Sequence, residues 1–159
     1  MGRFKKFILP ISLTMNLILV FSLYSIYEDK KFNRNSADDI FIGSLSRAAD
    51  DFQQDYSNMK EEDRVHNYIE ISYNLYTAAN ILDFTSYAHI KNRNYLFAAI
   101  ADLHTCIILN ESREAFLTNR DKTMSIYKAL IKIKANPGDE QDCKVINDIT
   151  TNMLTNPIK

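Results

Sequence analysis

Hydrophobic residues follow two different patterns along this chain. The first is an unbroken stretch, Phe7–Tyr27, which contains no charged residue and follows a short basic head at residues 1–6. A helix needs about 20 mostly apolar residues to cross the hydrocarbon core of a bilayer, and this stretch has that length. The pattern therefore predicts a transmembrane signal anchor that holds the rest of the chain at a lipid bilayer.

Two other interpretations of the same stretch stay open. A secretory signal peptide also combines a basic head with an apolar body, but the apolar part usually has about 7–15 residues and ends at small residues. The stretch here is longer, and its exit, Ser22–Tyr27, has no suitable pair of small residues. A secreted helical protein with a cleaved signal peptide is one alternative, and a buried helix of a soluble protein is the other.

The charges beside the apolar stretch predict its orientation. Cytoplasmic flanks of membrane helices are enriched in Lys and Arg. The leading flank is short and has no acidic residue, so we expect the N-terminus inside and the following domain outside. Residues 28–35 are polar and form a juxtamembrane connector, or extend the membrane helix by a turn or two. Each flank has three basic residues: Arg3, Lys5 and Lys6 before the stretch, and Lys30, Lys31 and Arg34 after it.

One polar residue near the middle of the stretch leads to a separate prediction. The amide of Asn16 has no partner among lipid tails, and a second helix in the membrane can satisfy it. Asn16 is therefore a candidate contact between membrane helices.

The second pattern is a helical repeat of apolar residues over residues 36–155. Apolar positions recur every three or four residues, which is typical of amphipathic helices. Ser36, with Asp39 three residues later, resembles a capping box. Asn136-Pro137-Gly138 ends a helix, and the last helix begins at Glu140. The predicted fold is all-α: an N-terminal transmembrane helix followed by an antiparallel bundle of four to five helices. The bundle helices are expected at 36–58, at 61–90, from 94 onward, up to 135, and at 140–154.

The repeat also predicts which residues face the core. The second bundle helix has the widest apolar surface, which is typical of the central helix of a bundle. Several tyrosines lie on or near it, and they either line a groove or are core residues whose hydroxyls reach the rim. These are Tyr68, Tyr73, Tyr76, Tyr87 and Tyr95. The inward positions predicted on the first and third bundle helices are Phe41, Leu45, Ala48, Phe52, Tyr56, Leu96, Ala99, Ile100, Leu103, Cys106 and Ile107.

Charge and composition exclude some classes of function. Three of the 19 basic residues and none of the 20 acidic residues precede residue 28, so the bundle is mildly acidic. A nucleic-acid-binding domain normally has a basic stripe, and we predict no nucleic-acid partner. With three Gly and three Pro in the chain, glycine-rich phosphate loops are not expected. The abundance of Asn, Ile and Lys is typical of an AT-rich, bacterial genome.

The polar residues inside the helical pattern give only weak signals of chemistry. Asn80 and Asp83 interrupt the apolar second helix, and with His104 they form a candidate polar interior cluster. The spacing of His66 with Asp63 and Glu70 suits either a divalent metal or an ordinary solvated surface. No catalytic, cofactor or metal site is predicted. The expected function is binding of a protein partner or a ligand, and a small enzyme with a helix-borne polar site is the alternative.

The two cysteines, Cys106 and Cys143, are a candidate disulfide if the bundle lies in an oxidising compartment. Cys106 lies in an apolar run, where a small buried thiol also fits. Both interpretations stay open at the level of sequence.

Overall fold

The computed structural model describes residues 2–109 and 116–155, and the side chains of residues 12–109 and 116–154. Five α-helices have both ends within this part of the chain, which contains no strand. The all-α prediction is thus confirmed. The helices are α1 (Gly2–Phe52), α2 (Glu61–Ile81), α3 (Arg93–Ile108), α4 (Arg120–Ala135) and α5 (Glu140–Thr155), with 3₁₀ turns at Tyr56–Asn58, Leu82–Phe84 and Ser86–His89.

The chain divides into two compact units, Met1–Ser36 and Ala37–Lys159. The capping pattern predicted that a new helix begins at Ser36, but α1 continues through this residue. The boundary between the two units therefore falls inside α1. No Gly or Pro lies between Pro10 and Gly43, so nothing in the polar residues 28–36 stops helix propagation.

The first unit has no buried side chain from Ser12 to Asn35. The side chains of the basic head and of the first residues of the apolar stretch, through Ile11, lie outside the described part. Within that part, no helix has both the length and the hydropathy that a membrane span requires.

The second unit has one hydrophobic core, to which each helix contributes one face. Every residue predicted to face inward on α1 and α3 is buried in it, as is Tyr56 in the 3₁₀ turn after α1. Phe52 meets Phe116 edge to face, with ring centroids 6.0 Å apart, and Tyr56 stacks on Tyr68 at 5.9 Å. Burial of side chains of this size contributes about 1.5–3 kcal/mol each, before the entropy cost of ordering them.

α2 ends earlier than the sequence predicted. The helix stops at Ile81 instead of continuing to residue 90, because Thr85 has an extended backbone with φ −83° and ψ 170°. The Thr85 hydroxyl donates to the carbonyl oxygen of Leu82 at 2.7 Å. A contact from α1 fixes the turn, since the amide of Ser86 donates to Oδ1 of Asp38 at 2.7 Å.

In the second unit α1 and α2 run antiparallel, because Arg47 contacts Asn74 and, further back along α1, Asp38 contacts Ser86, and their short connector favours this arrangement. The pair α3 and α5 is different, because these two helices lie side by side and run in the same direction. Just before their first turns, Nδ2 of Asn92 donates to the carbonyl oxygen of Gly138 at 3.1 Å. Near their ends, Sγ of Cys106 lies 3.8 Å from the carbonyl oxygen of Thr150. α3 packs against both α2 and α5.

Candidate functional site

An apolar groove runs along the outer side of α2, beside the C-terminal end of α3. It has a volume of about 440 Å³. The lining positions on α2 recur every three or four residues, at 65, 68 and 69, 72 and 73, and 76, which places them on one side of the helix. They are Val65, Tyr68, Ile69, Ser72, Tyr73 and Tyr76, and Ile107 and Ile108 complete the lining from α3.

Much of the apolar surface of this groove is open. Ile69 is 61% exposed, Tyr73 64% and Tyr76 57%, and both Val65 and Ile108 are also exposed. Isolated exposed apolar residues are ordinary on soluble proteins, but contiguous ones mark interaction sites. The groove is therefore the best-formed candidate for binding in the described part of the chain.

The groove exists because α2 is apolar on more sides than its neighbours cover. Its core face, with Ile71, Leu75 and Ala78, is fully buried in the bundle. The second apolar face lies roughly a third of a turn away, where no other described helix covers it. The sequence predicted one wide inward stripe, and the structure divides it into a buried face and an exposed face.

The predicted tyrosines divide between the groove, the core and the exposed surface of α3. Tyr68, Tyr73 and Tyr76 line the groove. Tyr87 packs against the core instead, with its ring 5.6 Å from that of Phe41. Tyr95 is exposed on α3 and does not line the groove.

The two ends of the groove differ in charge. At the N-terminal end of α2, Glu61 and Glu62 are exposed, and with Lys60 and Val65 they line an adjoining concave surface. Toward the other end, the ring of His104 lies 5.8 Å from that of Tyr76. Burial lowers the pKa of His104, which favours the neutral imidazole at pH 7. The groove thus has an apolar floor, a carboxylate-bearing end and an uncharged end.

The candidate polar cluster is not assembled in the interior. Asn80 is exposed, and its Nδ2 donates to the carbonyl oxygen of Tyr76 at 2.8 Å. Asp83 is also exposed, and it forms an ion pair with Arg93. Asn80 and His104 both adjoin Tyr76, whereas Asp83 faces Arg93 at the start of α3. The side chains predicted to converge therefore serve separate local contacts, because the end of α2 at Ile81 turns Asp83 away into a 3₁₀ turn.

Cys106 and Cys143 are free, buried thiols, so the candidate disulfide is not formed. The sulfur of Cys106 faces Thr150, which lies two helical turns, roughly 10 Å, beyond Cys143 along α5. A disulfide needs Cα atoms within about 7 Å, and the two cysteines lie at different levels of the helix pair. Burial raises the pKa of each thiol to about 11, which suppresses the reactive thiolate.

An acidic corner lies where the end of α1 meets α2. Burial, followed by the charges of Glu70 and Asp50, raises the pKa of Asp51 to about 6, and His66 opposes this. The spacing of His66 suggested a metal site as one of two interpretations. Among the described residues, no group of three or more His, Cys, Asp or Glu side chains is placed to hold a metal ion. The raised pKa of Asp51 makes stability depend on pH, and no pattern in the sequence singled out this residue.

The remaining predicted residue, Asn16, has an exposed side chain on α1, and its contact with a second membrane helix stays a prediction. Comparison of the chain with protein-family models, curated proteins and solved structures finds no match. The proposals below therefore rest on the residues of this chain.

Proposed function

We propose that this chain is a single-pass membrane protein, anchored by Phe7–Tyr27, with its N-terminus inside and its helical bundle outside. The observation that carries the proposal is that α1 has large apolar side chains on all sides and no charge between Leu13 and Tyr27, and is exposed there throughout. A helix that is apolar on every side requires an apolar environment, which is either a protein core or a bilayer. The exposed residues are Leu13, Met15, Leu17, Ile18, Leu19, Val20, Phe21, Leu23, Tyr24, Ile26 and Tyr27.

The energetics favour a bilayer as that environment. Each large apolar side chain gains about 1.5–3 kcal/mol on leaving water. The backbone of a continuous helix satisfies its own hydrogen bonds, so it enters hydrocarbon without an unpaired amide. Phe7–Ile11, whose side chains lie outside the described part, bring the charge-free stretch to the length of a span.

We assign the bundle a binding role: it recognises a protein partner, as an accessory or interaction module. The support comes from the groove on α2, where two exposed tyrosines, Tyr73 and Tyr76, stand beside Ile69. Tyrosine is enriched in the binding centres of protein interfaces, because it offers a large, rigid contact area together with a hydroxyl. The described residues give no comparable support for catalysis.

Membrane extraction tests the anchor. We expect the full-length chain to stay in the membrane pellet after alkaline carbonate extraction. The double substitution Leu17→Arg with Val20→Arg should move most of it to the soluble fraction, since each central Arg costs about 2.5–3.5 kcal/mol of insertion. Phe32→Arg is the control, because Phe32 is also an exposed apolar residue of α1 but lies beyond the stretch. Extraction of the wild-type chain by carbonate would refute the anchor.

Topology and processing need two further measurements. A reporter fused after Lys159 should be active only outside the cytoplasm, and a cytoplasmic signal would reverse the proposed orientation. The intact mass of the purified protein should match the full chain. A loss of about 25 residues would establish a cleaved signal peptide and a secreted protein instead.

A further inference from the structure

We propose that the groove between α2 and α3 binds a basic, amphipathic α-helix of a partner protein. This rests on the proposed binding role of the bundle, and it specifies both the surface and the chemistry of the partner. The surface consists of the eight groove-lining residues together with Lys60, Glu61 and Glu62 at its end.

The dimensions of the groove suit a helix. From Val65 to Tyr76 the lining extends along α2 by eleven residues, or roughly 16 Å at the rise of an α-helix. Three turns of a partner helix cover that distance. Such a helix would place apolar side chains at positions i, i+3 or i+4, and i+7 into the groove, as helix-in-groove complexes do.

The floor of the groove offers places for those side chains. Ile69, Tyr73 and Tyr76 project from α2 and are more than half exposed, and Ile108 faces them from α3. A partner that covers them removes four large apolar side chains from water. The hydroxyl groups of the tyrosines stay available for hydrogen bonds at the rim.

The charges around the groove select a cationic partner. Glu61 and Glu62 stand at one end beside Lys60, so carboxylates outnumber cations there. Among the described residues of α3, those at the helix positions next to Ile108, Ala101 and Thr105, are uncharged. A lysine or arginine at one end of the partner helix would therefore meet carboxylates, and electrostatic complementarity of this kind sets partner choice and orientation.

Two other occupants fit these charges less well. An anionic lipid surface would be repelled by Glu61 and Glu62. A second copy of this chain would present the same surface, on which Glu61 and Glu62 outnumber Lys60, so two copies would bring like charges together. The same experiment distinguishes both of these occupants from a basic partner helix.

The test uses full-length protein in detergent micelles and two labelled synthetic helices of 14 residues. Both peptides have the same leucine stripe at i, i+3, i+4 and i+7, and their polar positions are Lys in one and Glu in the other. Fluorescence anisotropy should give a Kd about tenfold lower for the Lys peptide. Ile69→Ser with Tyr73→Ser should weaken that binding at least about tenfold, and Glu61→Lys with Glu62→Lys should abolish or invert the preference between the peptides.

Val145→Ser on α5 is the matched control, because Val145 is an exposed apolar residue away from the groove. It should leave both Kd values unchanged. Equal affinity for the two peptides, no binding, or binding that survives the groove substitutions would overturn the proposal. So would groove-dependent dimers in sedimentation velocity, or groove-dependent binding to vesicles with anionic lipid. Because the measurement is made in detergent, its failure would leave the anchor proposal untouched, and carbonate extraction tests that separately.

Discussion

Replacement of Asp51 by Asn should stabilise the bundle at neutral pH and remove part of its pH dependence. The carboxylate lies at the end of α1, partly buried against α2. Burial, with the charges of Glu70 and Asp50, raises its pKa from 3.8 to about 6. At pH 7.5 the folded chain therefore carries a charge that its environment disfavours, and Asn removes that charge with little change in shape.

The free energy of unfolding depends on pH because the folded and unfolded chains bind the Asp51 proton with different affinities. The folded state holds the Asp51 proton more tightly than the unfolded chain does, so the associated stability is fully present below about pH 3.8 and is lost as the pH rises through about 6. The difference between the two pKa values corresponds to about 3 kcal/mol. Solvent screening of a partly exposed carboxylate reduces this, and we expect about 1 kcal/mol.

Urea unfolding of the full-length chain in detergent, followed by circular dichroism, measures this effect. Asp51→Asn should raise the free energy of unfolding by about 1 kcal/mol at pH 7.5 and by much less near pH 4. Asp50→Asn is the matched control, because it removes the same charge from the same helix end at an exposed position. A stability gain that is equal at both pH values, or as large for Asp50→Asn, would refute the assignment of the effect to burial of Asp51.

Three further predictions concern individual side chains of the bundle. Ser44→Ala should raise the free energy of unfolding by about 1 kcal/mol, because the Ser44 hydroxyl is buried without a hydrogen-bond partner. Ala is also the better helix former. A loss of stability would instead reveal a water bound to the hydroxyl. Asp83→Asn should change stability by less than about 0.5 kcal/mol in urea unfolding, because its ion pair with Arg93 is exposed. Cys106 and Cys143 should react with a thiol reagent only after denaturation, because both are buried. Native protein kept under oxidising conditions should gain no intramolecular disulfide. Rapid reaction of the folded protein with the reagent would contradict the burial of the two thiols.

Much of the fold follows from local patterns. The inward faces of α3 and of the bundle part of α1 could be predicted because their apolar residues recur at helical spacing. The start of α5 could be predicted from Asn136-Pro137-Gly138, since Pro and Gly end helices for local steric reasons. The sequence also establishes the charge-free stretch Phe7–Tyr27, on which the anchor proposal depends.

Two helix boundaries, at Ser36 and after Ile81, differ from what the local patterns predict. Ser36 resembles a cap, yet the helix passes through it, because a capping residue does not interrupt a chain that lacks Gly and Pro on either side. Conversely, α2 stops at Ile81 without a local stop signal, since Thr85 bonds back to Leu82 and Asp38 holds the following turn.

The candidate binding surface was decided by tertiary structure alone. Periodicity reveals that α2 is apolar on most sides, but it does not reveal how many neighbours are available to cover those sides. The bundle covers the face with Ile71 and Leu75 and leaves Ile69 and Tyr73 open. Spacing likewise suggested that Asn80, Asp83 and His104 converge, and the fold separates them. Sequence determines which surfaces are apolar, whereas the packing of distant segments determines which of those surfaces remain in contact with solvent.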